Sequence, residues 1–215
     1  MKTRFVCLIM TMYLSTALFS PAAAQEENAA GQVLAEINLA RTEPLQFAVF
    51  LHELRGRFQG KDYRIPGTAT LMETSEGVDA VDEAIQSLSR QKPQPPLAWS
   101  AGLAAAAADL AKEQAGSGAT GHGSFWRSGG MRKRIERHGT WVGRIGENIV
   151  YNPIEPRSMV MQMIIDDGVP GRGHRKNLFN PAFGRAGVAC GPHPRFDGMC
   201  VIDFSGRFSE GVHEE

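Results

Sequence analysis

GVPGRGHRKNLFNPAF, residues 168–183, is the stretch from which the organisation of this chain can be read. Three glycines and Pro170 within its first six residues exclude a regular element there. The pattern therefore predicts a shaped loop that brings His174, Arg175 and Lys176 to one place. A histidine between a glycine-rich loop and a turn is rarely a core residue, although a solvated basic loop is an alternative that composition leaves open.

The amino terminus predicts a secretory signal peptide over residues 1–24. Lys2 and Arg4 precede an apolar run over residues 5–19, and the alanines at 22–24 are the small residues that signal peptidase needs, so cleavage before Gln25 is expected. The apolar run is short for a membrane span, and no basic stop-transfer cluster follows it, so no stable membrane insertion is expected. The mature protein is predicted to be secreted, either periplasmic or extracellular.

Length and charge limit the remaining chain, residues 25–215, to a few classes. It is long enough for a single domain with one sizeable core. The whole chain carries 23 basic and 23 acidic side chains, so no broad attraction to nucleic acid is expected. Cys190 and Cys200 flank a turn-rich connection between two strand-like runs, which predicts a hairpin and a structural disulfide between them.

Periodicity predicts several helices. Apolar residues recur at helical spacing near 33–41, 45–55, 78–88, 103–110, 131–137 and 156–167. Ser100 is the expected N-cap of the alanine-rich helix that follows it. The sequence of residues 56–72 predicts a loop.

The local sequence pattern does not explain two polar residues, Glu147 and His122. RIGENIVYN, residues 144–152, alternates as a strand does, which puts Glu147 on one face between two isoleucines. If that face is buried, Glu147 must be neutral, hydrogen-bonded or beside a cation, because a bare buried carboxylate is very costly. An exposed strand edge is the alternative. His122 lies in GSGATGHGSFW, residues 116–126, where a flexible polar loop is the alternative to a functional role.

Asp166 and Asp167 close the helix predicted over residues 156–167. Acidic residues at a helix C-terminus oppose the macrodipole, which indicates another use for this pair. Salt bridges to Arg172 or Arg175 are the simpler explanation.

A resemblance to a known family joins these features. INLAR (37–41), PLAWSAGL (96–103), GHGS (121–124), GENI (146–149), GHRKNLFNPAFGRAGVACG (173–191) and CVIDF (200–204) resemble, in that order, the CAP superfamily. That group comprises cysteine-rich secretory proteins, venom antigens and plant pathogenesis-related proteins, with many bacterial members. The resemblance covers about residues 30–206 and implies an α+β fold, an α-β-α sandwich with a small antiparallel sheet between helical layers. Residues of about 57–95 would be a helical insertion, either a lid over the cleft or filler.

The family's cleft holds two histidines and two acidic residues. By its place in these motifs, His122 matches the first histidine, Glu147 the first acid and His174 the second histidine. The second acid does not match, because the usual Trp and Glu before the last histidine are replaced, which leaves Asp166 or Asp167 as shorter stand-ins. The resemblance thus implies that His122, Glu147 and His174 bind zinc or another divalent metal.

More than one function is compatible with this family, because a fold does not decide between functions. The first prediction is a secreted binding module for a small amphipathic or lipid ligand or a protein partner, with Arg172, Arg175 and Lys176 steering an anionic group. The alternative is a metal-dependent, peptidase-like hydrolase that uses the same cleft, with Glu147 or an aspartate as base and no assigned catalytic residue. A serine hydrolase using Ser124 ranks last, since no G-x-S-x-G motif is present.

Overall fold

The computed structural model describes residues 21–64, 71–123, 130–152 and 155–211. The apolar run of the expected signal peptide and Ser124 both lie outside these ranges. The described helices are α1 (Pro21–Thr42), α2 (Pro44–Arg55), α3 (Val78–Arg90), α4 (Ala101–Ser117), α5 (Gly130–His138), α6 (Pro156–Ile165) and α7 (Gly173–Leu178). The described strands are β1 (Phe58–Gln59), β2 (Asp62–Arg64), β3 (Leu71–Glu73), β4 (Ala98–Trp99), β5 (Gly139–Tyr151), β6 (Arg185–Gly191) and β7 (Met199–Glu210). Across these ranges, a search for helices with the length and hydropathy of a membrane span finds none.

The main sheet has the strand order β4-β6-β7-β5 and lies between two helical layers. Strands β5, β6 and β7 pair antiparallel, whereas the two-residue strand β4 joins the edge in parallel. Side chains of β7 alternate: Ile202 and Phe204 pack with α1, α2, α3 and α6, and Met199 and Val201 pack with α4. The predicted α+β class and α-β-α sandwich are confirmed, with a parallel edge strand that was not predicted.

The segment predicted as an insertion contains a helix and a second, small sheet. Helix α3 forms where the apolar spacing predicts it. Strands β1, β2 and β3 form an antiparallel meander, so the loop prediction for residues 56–72 is wrong. Each of these strands has only two or three residues, which is too short for alternation to be read from the sequence.

Arg41, from the INLAR motif, fixes the chain that follows α7. Its side chain is fully buried and donates to the carbonyl oxygens of Leu178 at 2.5 Å, Pro95 at 2.9 Å and Phe183 at 3.4 Å. Burial lowers the pKa of Arg41, so these carbonyl dipoles are what offsets the cost of an enclosed guanidinium. Helix α1 and the segment after His174 are thereby held together.

Two further predictions from the sequence are confirmed. Cys190 and Cys200 are register partners on β6 and β7 and form a disulfide. Ser100 accepts a hydrogen bond from the backbone N–H of Leu103 at 3.3 Å and caps α4.

Helix α4 lies very close to β6, and Gly187 makes this approach feasible. A Cβ atom at Gly187 would lie 2.0 Å from the backbone nitrogen of Ala104 and 2.4 Å from the carbonyl carbon of Leu103. Because both neighbours are helix backbone, neither can move aside cheaply. The small residues of α4 and β6 therefore set the spacing between the sheet and this helix.

We expect Gly187→Ala to destabilise the protein by about 3 kcal/mol, at the upper end of the usual cost of overpacking a core. Urea unfolding with the disulfide intact measures this loss. The matched control is Gly191→Ala on the same strand, where the new Cβ would meet its nearest atom at 3.9 Å. Equal unfolding midpoints for the two variants would contradict the close packing of α4.

Candidate functional site

Glu147 is buried on β5, where every residue from Gly146 to Val150 is buried, and this decides between the two alternatives that the strand pattern left open. It is 4% exposed, and its Oε1 atom lies 2.8 Å from Nδ1 of His122. Its other oxygen accepts a hydrogen bond from the guanidinium of Arg134, a fully buried residue of α5. Arg134 also donates to the backbone carbonyl of His122 at 3.2 Å. The cation that a buried Glu147 requires is therefore Arg134, which the sequence analysis missed because α5 otherwise reads as a polar surface helix.

His174 lies in the first turn of the short helix α7 and not in a loop, so this prediction is corrected. Its backbone N–H donates to Oδ2 of Asp166 at 2.9 Å, and its Nδ1 atom lies 2.6 Å from Oδ1 of the same carboxylate. Asp166 thus satisfies a backbone donor at the start of α7, which allows a helix to begin directly after the glycine-rich residues. With six residues, α7 is too short to produce a detectable helical period.

Asp167, the other candidate for the fourth cleft residue, bonds the backbone before α3 rather than a histidine. Its carboxylate accepts the backbone N–H groups of Ser75 at 2.6 Å and Glu76 at 2.9 Å, just before α3. Asp166, at 3% exposure, is the one of the two aspartates that bonds a cleft histidine, His174. Asp167 instead anchors the inserted segment.

The predicted steering role does not hold for Arg172 and Arg175. Arg172 donates to Glu76 at 2.7 Å and to Glu83 at 3.0 Å, and the buried Arg175 donates to Glu83 at 2.6 Å. The hydrogen bond from Arg172 lowers the pKa of Glu76 to about 2. These guanidinium charges are neutralised within the structure, because the insertion brings carboxylates to them.

Lys176 keeps the position that the steering role needs. It is exposed at the rim of the cleft, and so is Arg144, which the sequence analysis did not select. In the part of the chain that the structure describes, neither cation has a carboxylate partner. These two side chains therefore give the mouth of the cleft its positive charge.

His122, Glu147 and His174 line one cleft of about 480 Å³. Among the described residues, no three histidine, cysteine, aspartate or glutamate side chains converge as a complete metal-ligand set. Both oxygens of Glu147 are engaged, by His122 and by Arg134. Glu147 therefore fits as a partner that orients a histidine better than as a metal ligand.

The two histidines bring imidazole nitrogens, a donor type that divalent metals accept, to the lining of the same cleft. Since an ionised carboxylate can only accept, Nδ1 of each histidine carries the proton and Nε2 keeps its lone pair. Within the described ranges no hydrogen bond occupies either Nε2 atom, and both rings line the cleft. Carboxylate–histidine pairs of this kind are typical of metal-binding imidazoles. The hydrogen bond to Glu147 also raises the pKa of His122 above its usual value.

An apolar cavity of about 340 Å³ adjoins the cleft. Phe58 and Met72 of the inserted sheet form one wall, and Met163 of α6 contributes to another. His174 and Val169 line both the cavity and the cleft. The segment predicted as an insertion thus lines a cavity beside His174.

Asp203 is a second buried acid that the sequence analysis missed. It is the register partner of Glu147 on β7 and has no exposure, and neither of its oxygens has a hydrogen bond among the described residues. Burial, with the nearby charge of Glu147, raises the pKa of Asp203 well above its usual range. A charged residue inside the apolar run CVIDF was the signal that could have identified it.

Replacing Asp203 with Asn should stabilise the protein at pH 7 and have less effect near pH 4. A carboxyl group whose pKa is higher in the folded state than in the unfolded state stabilises the fold fully at pH values below its unfolded-state pKa. This stabilisation is lost as the pH rises toward the folded-state pKa. Asn does not titrate and avoids that loss. Thermal unfolding at both pH values measures the difference.

Asp197→Asn is the matched control, because Asp197 is exposed and the charge change is the same. A gain for Asp203→Asn that is larger at pH 4 than at pH 7 would contradict a neutral, buried Asp203.

Comparison with known proteins gives a family and one weak structural similarity. A family model described as CAP, the cysteine-rich secretory protein family, matches residues 34–204. None of the curated proteins compared with the chain matches it. A solved structure of an extracellular protein containing an SCP domain from Bacillus anthracis str. Ames is similar at 21% identity and a TM-score of 0.42. That match covers 60% of this chain and 38% of the other, so this chain spans well under half of that protein.

Proposed function

The chain belongs to the CAP family of cysteine-rich secretory proteins, and on this premise we propose that it is a secreted protein that binds a small amphipathic molecule. The anionic head of the ligand lies in the histidine cleft beside a divalent metal, and its apolar part enters the adjoining cavity. The Cys190–Cys200 disulfide supports a place outside the cytoplasm, because disulfides persist in oxidising compartments.

One observation carries this proposal: His174 and Val169 line both the charged cleft and the apolar cavity. A ligand that extends across this boundary meets imidazole and cationic groups at one end and the side chains of Phe58, Met72 and Met163 at the other. Small-molecule sites are typically apolar concavities with a few placed polar groups. The combination fits an amphipathic molecule better than a wholly polar or wholly apolar one.

The metal of this proposal is zinc or a similar divalent ion, held through Nε2 of His122 and of His174. Glu147 and Asp166 fix the orientation of the two rings and increase their basicity. A bound divalent ion supplies positive charge to an anionic head group. Arg144 and Lys176 at the rim add to the same field, which favours an acidic ligand over a basic one.

The contacts of the carboxylates favour binding over hydrolysis. A metal-dependent hydrolase needs a base that can reach a water molecule. Both oxygens of Glu147 and both oxygens of Asp166 are engaged by neighbouring groups. The hydrolase alternative would need one of these contacts to be exchanged for substrate, which the binding function does not.

We expect the protein to bind zinc, and His122→Ala with His174→Ala to weaken that binding by about 100-fold or more, since losing even an outer-shell partner typically costs 10–100-fold. Zinc affinity should fall as the pH is lowered, and the fall should begin above pH 6.5. The reason is that the hydrogen bond to Glu147 raises the pKa of His122, and a protonated ring cannot bind a metal. Calorimetric titration measures both effects.

The control for the double variant is His52→Ala, which removes an exposed histidine of α2 that lies outside the cleft. Equal zinc affinity for the parent and the double variant would rule out the cleft as the metal site. Loss of affinity in the His52 variant would point to unspecific histidine binding.

A bulky side chain in the cavity should exclude the ligand's apolar part. Met72→Trp fills the cavity, and we expect it to weaken binding of a fluorescent long-chain fatty acid by about tenfold or more, which equals about 1.4 kcal/mol. Leu71→Trp is the matched control, because the neighbouring Leu71 is 53% exposed and does not line the cavity.

Saturable binding that both Trp variants retain would place the ligand elsewhere. Absence of binding by the parent to fatty acids and lysophospholipids would favour a protein partner. Metal-dependent turnover of peptide or ester substrates that disappears in Glu147→Gln would replace the binding function with the hydrolase alternative.

A further inference from the structure

The segment that carries His122 has almost no apolar anchor of its own. Residues 118–123 read GATGHG, and glycines 118, 121 and 123 adopt positive φ angles of 66°, 86° and 82°. Such a backbone has many accessible conformations, and a segment with few buried apolar contacts opens easily. Something outside the segment must hold His122 against Glu147.

A set of polar side chains holds this segment through its backbone. The N–H of Gly121 donates to the hydroxyl of Tyr151 at 2.7 Å, and its carbonyl accepts from Nε2 of Gln114 at 2.5 Å. The Tyr151 hydroxyl in turn donates to Oε1 of Gln114 at 2.8 Å. Gln114 is only 1% exposed, so this network is buried at the end of α4. Both backbone polar groups of the residue preceding His122 are thus fixed.

His193 holds the same segment at a second residue, Ala119. Its Nδ1 accepts from the N–H of Arg195 at 3.2 Å, which leaves the proton on Nε2, and Nε2 donates to the carbonyl of Ala119 at 2.9 Å. The ring of His193 is 3% exposed and contacts Tyr151 edge-on, with centroids 5.4 Å apart. Phe196 contacts both rings, at 4.9 Å from Tyr151 and 5.1 Å from His193.

His193 and Phe196 lie on the turn of the β6–β7 hairpin, and the Cys190–Cys200 disulfide closes that turn at its base. The hairpin tip is thereby tied to the sheet and can serve as a fixed support. His193 lines neither the cleft nor the cavity, so its hydrogen bond to the carbonyl of Ala119 is the contact that links it to the His122 segment.

We infer that Tyr151 and His193, carried by β5 and the disulfide-closed hairpin tip, are positioning residues that hold His122 in the cleft. The inference rests on the proposed function for its effect on metal binding. The position of the His122 segment itself does not depend on that function.

The first test is Tyr151→Phe, which removes one oxygen atom and with it the bonds to Gly121 and Gln114. We expect zinc affinity to fall by about 10-fold to 100-fold, the range for a lost outer-shell partner. In the metal-free protein, amide hydrogen exchange at Gly121 should become several-fold faster, because its acceptor is gone. The control is Ser89→Ala, which removes the hydroxyl of an exposed residue of α3 that lines neither the cleft nor the cavity.

The second test separates positioning from packing at His193. His193→Gln keeps an N–H donor for the carbonyl of Ala119, whereas His193→Leu keeps only volume. We expect zinc affinity close to that of the parent for the Gln variant and a loss similar to that of Tyr151→Phe for the Leu variant. Equal affinities for the Gln and Leu variants would overturn the role of His193.

The outcomes distinguish this inference from the proposed function. If the parent does not bind zinc, the proposed function fails, and exchange at Gly121 still decides whether Tyr151 holds the segment. If the parent binds zinc and Tyr151→Phe changes neither affinity nor exchange, the positioning inference alone is overturned. Faster exchange with unchanged affinity also overturns it, because the segment would then move without effect on His122.

Discussion

The buried ion pair between Glu147 and Arg134 is the interaction on which the rest of the site depends. Both side chains are almost completely enclosed, at 1% and 0% exposure. Removing one partner from such a pair typically costs about 3–5 kcal/mol, because the other charge is left without compensation. The pair joins β5 to α5 and, through the remaining oxygen of Glu147, orients His122. The requirement to neutralise one carboxylate therefore links the sheet, a helix and the cleft.

The two histidines of the cleft are supported in different ways. His122 depends on the core of the sandwich, through Glu147 and the backbone contacts of its own segment. His174 depends on Asp166 and on a second group of charges that connects α7 to the inserted segment, in which Arg175 donates to Glu83 and the backbone before α3 donates to Asp167. The insertion that lines the apolar cavity thus also stabilises the surroundings of His174. Cavity and cleft are parts of one structural unit.

Several features of the site could be predicted because they have local causes. The alternation around Glu147 predicted a strand with this residue between two isoleucines, and two cysteines across a turn implied a hairpin disulfide. The helix α7 and the strands β1–β3 could not be predicted, because elements of two to six residues are too short for a period. The carboxylate partners of Arg172 and Arg175 could not be predicted, since they lie about 90 residues away in the chain.

The sequence by itself determined the family and the α+β class that goes with it, and it predicted the disulfide, because motif order and spacing are properties of the chain. The two histidines and the glutamate of the cleft were inferred from the same family resemblance. Only the tertiary structure decided which charges neutralise one another. The pairing of Arg134 with Glu147, the pairing of Asp166 rather than Asp167 with His174, and the burial of Asp203 beside Glu147 all follow from three-dimensional neighbours. The physical reason is that the energy of a buried charge depends on the groups packed around it, and folding chooses these from distant parts of the chain.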